Sequence, residues 1–151
     1  MDNFVNTPLT NRSKPPGAVI PVLGYEDVDE AARWLCDVFG FTVRLRIGSH
    51  RVQLLVNNGL GGEGSVVATE RGEHAPAEGS HSVMVQVADA QSHYEHVLAC
   101  GAQIVNPPTD YFFGERQYTV VDLGGHRWTF SQSMADVDPE SWGGVVPKRK
   151  P

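Results

Sequence analysis

Val19-Ile-Pro-Val-Leu-Gly-Tyr-Glu-Asp27 and Ser82-Val-Met-Val-Gln-Val-Ala-Asp89 open two halves of this chain in the same way. Each is an apolar run closed by an aspartate. Each is followed by a helical run and then by a glycine, Gly40 or Gly101. The aspartates are offset by 62 residues and the glycines by 61. Two copies of one β-α-β unit within 151 residues have to share a core, and the groove between them is the natural place for a ligand.

Working outward, Asp27 reads as the N-cap of a helix with Asp29 and Glu30 in its first turn, where acids suit the helix dipole. Val28, Ala31, Ala32, Leu35, Val38 and Phe39 recur at helical spacing and form one buried stripe, and Gly40 ends it. Residues 41–47 alternate, with Val43, Leu45 and Ile47 on one face and Thr42, Arg44 and Arg46 on the other. A turn at 47–50 leads to a strand at 51–57; a Gly/Asn-rich loop at 57–64 precedes a strand at 65–70. The second half repeats the order: a strand at 82–88, a helix at 90–100, a short strand at 102–106 broken by Pro107-Pro108, an aromatic loop at 110–114, and strands at 116–122 and 127–133. Residues 1–17 read as a flexible leader, 71–80 as a linker and 135–151 as a tail in which Trp142 requires cover, from the domain or from a partner subunit.

Composition limits the function classes. A net charge of −6 and a pI near 5.4 argue against nucleic acid as partner, and Lys148-Arg149-Lys150 reads as a solubilising tail. No stretch approaches ~18 apolar residues, so no membrane span is expected. The leader lacks the apolar region of a signal peptide, and the expected location is cytoplasmic. Cys36 and Cys100 fall in helices without metal-knuckle spacing and read as small core residues of a reducing compartment. The loop Gly59-Leu-Gly-Gly-Glu-Gly64 joins strand to strand and lacks the ending of a phosphate cradle.

The strand-helix-strand-strand-strand order, twice, together with Phe113-Gly114-Glu115-Arg116 and Asp122-Leu-Gly-Gly-His-Arg-Trp128, resembles the vicinal oxygen chelate superfamily of glyoxalase I, bleomycin-resistance proteins and extradiol dioxygenases. The match runs over residues 18–134, in modules 18–70 and 81–134, and departs from the family in having Leu123 where a proline usually follows the aspartate. The resemblance implies an α+β fold: two tandem βαβββ modules forming a curved mixed sheet, with helices outside, a concave cleft inside, and a homodimer.

In metal-dependent members a His or Gln comes from the first strand of each module and a Glu from the last. Carried over, these positions are Ile20, Ser82 and Thr129, none a good ligand for zinc, iron or manganese. No cofactor is therefore expected. His81, one residue off, and Glu70, at the end of its strand, are the remaining metal candidates. His93 and His96 read as half-exposed helix-face residues, and His126 as a structural residue of the last turn.

Alternation places Ser82, Met84, Gln86, Gln53 and Thr129 opposite the apolar stripes, on the face that lines the cleft. Arg116, opening a strand, is the leading candidate to grip a carboxylate or phosphate, with an internal pair to Glu115 or Asp122 as the competing reading. Tyr111 and Phe113 either lid a flat ligand or fold on their own core. The expected function is metal-independent binding of an aromatic or anionic small molecule. The alternatives are a metal-using lyase, isomerase or dioxygenase acting through His81 and Glu70, and an interaction module without a small ligand.

Overall fold

The computed structural model describes residues 11–72, 81–145 and 147; residues 1–10, the linker residues 73–80 with His74, and Lys148-Arg149-Lys150 lie outside the described residues. The first module runs β1 (Val22–Tyr25), α1 (Val28–Phe39), β2 (Thr42–Ile47), β3 (Arg51–Leu55) and β4 (Ser65–Glu70). The second runs β5 (Ser82–Gln86), α2 (Ala90–Ala99), β6 (Gln103–Asp110), β7 (Glu115–Val121) and β8 (Arg127–Ser133). The sheets have the same order, β1-β4-β3-β2 and β5-β8-β7-β6. In each, the first strand pairs in parallel with the last, Val22 opposite Val67 and Met84 opposite Thr129. The fold is α+β in two tandem modules, as the repeat implies.

Local chemistry explains the helices. Asp27 accepts from the Glu30 amide and Asp89 from the Ser92 amide, each at 3.0 Å, so both repeated aspartates are N-caps. The α1 stripe is buried as its spacing predicts. In α2 only Ala90 and Val97 are fully buried, and His93 and Tyr94 complete its inner face. Under the helices the strands contribute Val52, Leu54, Val66 and Ala68 in one module and Val85, Tyr118, Val120, Trp128 and Phe130 in the other. Phe39, at the end of α1, contacts the rings of Trp128 (5.2 Å between centroids) and Phe130 (5.0 Å), which fuses the two halves into one core.

Four features differ from the sequence expectation. Strand β2 carries a bulge: Val43 pairs with Leu54 but Leu45 pairs with Gln53. The extra residue breaks the alternation, so Arg44 and Arg46 do not share a face: Arg44 bonds Gln53 while Arg46 bonds Asp29 of α1 at 2.8 Å. Strand β6 continues through Pro107-Pro108 to Asp110, with two register shifts, because it is an edge strand where a missing N–H is tolerated. Cys36 is half-buried and packs against the core as expected, but Cys100 is exposed and is not a core residue. Residues 11–17 are described as a docked strap, with Pro15 buried, that lies over the concave face of the first module.

The tail folds back on its own domain. The amides of Met134 and Ala135 donate to the Gly114 carbonyl at 2.7 and 3.2 Å. A short 3-10 helix, Pro139–Trp142, then sets Trp142 5.9 Å from the Phe113 ring. Gly114 is glycine for two reasons: its φ is +94°, and a Cβ there would lie 2.1 Å from the Ala135 carbonyl oxygen.

Candidate functional site

The concave face is built by parity. On β5 the residues opposite the core are Ser82, Met84 and Gln86, all exposed. Their neighbours on β8 are Arg127, Thr129 and Ser131, and on β7 they are Glu115, Gln117, Thr119 and Val121. These side chains are already organised. Thr119 and Thr129 share a hydrogen bond of 2.9 Å. Glu115 accepts from Ser131 Oγ at 2.6 Å and from Gln117 Nε2 at 2.9 Å. The second module therefore offers a floor of hydroxyls and amides, with a carboxylate toward one end and the Arg127 guanidinium toward the other.

Beside this floor, at the seam of the modules, is a cavity of about 330 Å³. Val19, Pro21, Val56, Val83, Met84 and Trp128 supply its apolar lining, and Asn58, Glu63, Ser65 and Gln86 its polar groups. An apolar body with a few convergent polar groups is the composition of a small-molecule site.

In the first module the matching face is covered. Gln53 is 4% exposed; its Nε2 donates to the Ser13 carbonyl at 2.7 Å, and its Oε1 accepts from Arg44. Ser65 Oγ donates to the Pro16 carbonyl at 2.7 Å. Gln53 is thus on the predicted face but engaged by the strap, and a ligand cannot reach it while the strap is in place.

Arg116 is not in the cleft. It shares parity with Tyr118 and Val120, which face the helices, and it pairs bidentately with Asp110 of β6, Nε to Oδ1 at 2.6 Å and Nη2 to Oδ2 at 3.0 Å. The pair raises the Arg116 pKa and lowers that of Asp110, through the hydrogen bond first and charge attraction second. An internal pair is what the competing reading expected, though with a different partner. Tyr111 and Phe113 stack on each other 5.2 Å apart, and Phe113 also meets Trp142. They form a cluster at the loop tip.

The family's ligand positions do not fit a divalent ion. Register puts Val67 on β4 where Thr129 stands on β8, because Val22 pairs with Val67 as Met84 pairs with Thr129. The four positions that correspond to the family's ligand positions are then Ile20, Val67, Ser82 and Thr129, with two hydroxyls and no imidazole or carboxylate among them. His81 and Glu70 do not combine. His81 Nε2 lies 3.2 Å from His126 Nδ1, in a hollow lined by Val22, Leu23, Gly24, Arg71 and Gly72, which Glu70 does not line. His126 in turn bonds the Gly24 carbonyl at 2.8 Å, a structural role. Among the described residues no three His, Cys, Asp or Glu side chains cluster as a metal group.

The Asp122 motif has a structural explanation. The buried Asp122 carboxylate accepts from Tyr25 Oη at 2.6 Å, Trp128 Nε1 at 3.0 Å, and the amides of Gly124 and His126, both at 2.9 Å. It locks the β7–β8 turn to β1 and places Trp128 at the base of the cavity. Burial, with the adjacent Asp122 charge, pushes the Tyr25 hydroxyl pKa far upward.

Residues 19–130 match the Glyoxalase/Bleomycin resistance protein/Dioxygenase superfamily, and the chain belongs to that family. Among solved structures it is similar to TioX from Micromonospora sp. ML1, with 35% identity over 81% of this chain and 100% of that one and a TM-score of 0.63. It shares its fold with the genomically encoded fosfomycin resistance protein FosX from Listeria monocytogenes (15% identity, 78% and 93% coverage, TM-score 0.62). It also shares it with a glyoxalase/bleomycin resistance protein from Streptomyces sp. CB03234 (16% identity, 75% and 97% coverage, TM-score 0.62). No curated protein matches the chain significantly.

Sequence reasoning missed Glu115, Gln117 and Thr119 as floor residues. Their period-2 spacing against Tyr118 and Val120 was the available signal. It did not anticipate the strap, whose bonds to Gln53 and Arg44 span 40 and 32 residues.

Proposed function

We propose that this protein binds a small molecule of largely apolar, flat shape without a metal ion, in the cavity at the module seam and on the adjoining floor of the second module. The observation that carries this reading is the pairing of a hollow lined by Met84, Val83 and Trp128 with ligand positions, Ile20, Val67, Ser82 and Thr129, that lack metal donors. An aromatic ligand is favoured over a purely anionic one, because the arginine expected to grip an anion, Arg116, is paired with Asp110 on the other face. Gln86, Thr129 and Arg127 remain to orient polar substituents.

The test is a thermal-shift screen of aromatic acids and amides, run with EDTA and with zinc, manganese or iron(II), alongside metal analysis of protein purified without chelator. At a hundredfold excess over Kd a ligand adds about 2.7 kcal/mol of stability. For a chain of this length that is a shift of roughly 5–10 °C. The expected result is a shift from an aromatic compound that EDTA leaves intact and Met84→Asp removes. A stoichiometric divalent ion held in the cleft would overturn the proposal. The metal-using alternative loses its support where Glu70 falls outside the His81 hollow.

We also infer a homodimer. Val19, Val22 and Met84 are 82%, 52% and 57% exposed, apolar surface that a second copy can cover together with the mouth of the seam cavity. Sedimentation of dilute protein tests it: a Val22→Glu variant that sediments as the unaltered chain does removes this surface from the interface.

A further inference from the structure

The concave face of the first module holds three side-chain donors that end on backbone carbonyls of the chain's own N-terminal strap. Arg44 Nη2 donates to the Arg12 carbonyl at 3.1 Å, Gln53 Nε2 to Ser13 at 2.7 Å, and Ser65 Oγ to Pro16 at 2.7 Å. These contacts read main chain and ignore side-chain identity. Pro15 alone is buried, while Asn11, Arg12, Ser13 and Lys14 are exposed. The repeat supplies the comparison. By register the counterparts of Gln53 and Ser65 in the second module are Thr119 and Arg127, which are partly exposed where Gln53 and Ser65 are buried. A segment held by three side-chain bonds and one proline has few apolar contacts to keep it closed, so it belongs to the low-stability end of the fold.

We propose that the first half of the cleft is a groove for an extended, proline-containing peptide segment, and that residues 12–16 occupy it as an exchangeable internal ligand. Arg44, Gln53 and Ser65 are its recognition residues. All three donors are polar groups that open solvent or a new carbonyl must satisfy once the strap leaves. Covalent attachment gives the strap an effective concentration in the millimolar range, so a peptide in solution gains entry only when the strap is weakened. The groove borders the seam cavity at Ser65, so both readouts below are taken with no aromatic compound present.

The test uses the full chain and a fluorescein-labelled synthetic peptide of residues 11–17. Pro15→Asp puts a charge on the buried strap residue and leaves the groove intact. The expected result is peptide binding at least tenfold tighter to Pro15→Asp than to the unaltered chain, and loss of that gain when Gln53→Leu is added. Equal binding to both chains, or binding to neither, would overturn the proposal. Should Pro15→Asp lose its cooperative thermal transition, trypsin cleavage after Arg12 gives the answer in otherwise native protein. Gln53→Leu and Ser65→Ala are expected to speed that cut at least tenfold, and an unchanged rate in both refutes the groove.

Discussion

Tyr25 Oη donates to Asp122 Oδ2 at 2.6 Å across 97 residues of chain, and this bond joins β1 of the first module to the β7–β8 turn of the second. It matters because Asp122 also positions Trp128, which both closes the shared core and lines the seam cavity. Tyr25→Phe leaves a buried carboxylate with one donor fewer, at a cost of about 1–3 kcal/mol. Asp122→Ala, which strands four donors, should cost more. Urea unfolding checks both, and a cost for Tyr25→Phe within error of zero would show that the bond contributes nothing.

Gly124 lies under the same contact. A Cβ there would sit 2.6 Å from the Tyr25 ring, so Gly124→Ala has to displace the ring and with it the bond to Asp122. Overpacking of this kind costs about 1–3 kcal/mol. Combined with Tyr25→Phe, the two penalties should be less than additive, because each disturbs the same contact. Additive penalties in a double-mutant cycle would separate them.

His93 gives the fold a pH dependence. Burial, against a raising contact with the Phe39 carbonyl and with a smaller lowering effect of His96, brings its imidazole down to about 4. The ring stacks on Phe130, 4.2 Å between centroids, and bonds the Tyr118 hydroxyl. Above pH 6.5 both folded and unfolded chains carry it neutral, so pH has no effect through this group. Between 6.5 and about 4 the unfolded chain takes up a proton that the native state refuses, so stability falls with falling pH, by an amount on the order of 3 kcal/mol in total. His93→Gln should flatten the stability profile in that window. An unaltered profile would assign the acid sensitivity elsewhere.

Arg116 and Met84 make opposite predictions for binding. Arg116→Gln breaks the pair with Asp110 on the helix side and should leave ligand affinity unchanged. Met84→Asp places a charge on the cavity wall and should weaken binding of an apolar ligand at least tenfold. Isothermal titration with a compound found by thermal shift distinguishes them, and a large loss in Arg116→Gln would return that residue to the site.

Gly114→Ala should release the tail. The clash with the Ala135 carbonyl, and the positive φ, leave the segment that carries Trp142 no room to pass. The measurable effect is in fluorescence. Iodide quenching of Trp142, already 41% exposed, should rise while that of the buried Trp128 does not.

Most of the scaffold was legible because it is local. Capping aspartates and the α1 stripe depend on neighbours within a turn or a strand, and the strands at 65–70 and 127–133 fall where the sequence reading puts them. Where alternation failed there was a physical cause. The bulge after Val43 reversed the faces of β2, and the edge position of β6 made Pro107-Pro108 harmless. Of the candidate site, Met84, Gln86 and Thr129 stand on the concave face as read. Arg116 was misplaced although its parity with Tyr118 and Val120 was available.

The repeated aspartates and apolar runs dictate two βαβββ modules and a hollow between them, since capping and periodicity act over a few residues. Which parts of that hollow stay open was settled in three dimensions, where the strap meets Gln53, Arg116 meets Asp110 and Phe39 meets Trp128. Such contacts join residues far apart in the chain, and their geometry exists only once both sheets have packed.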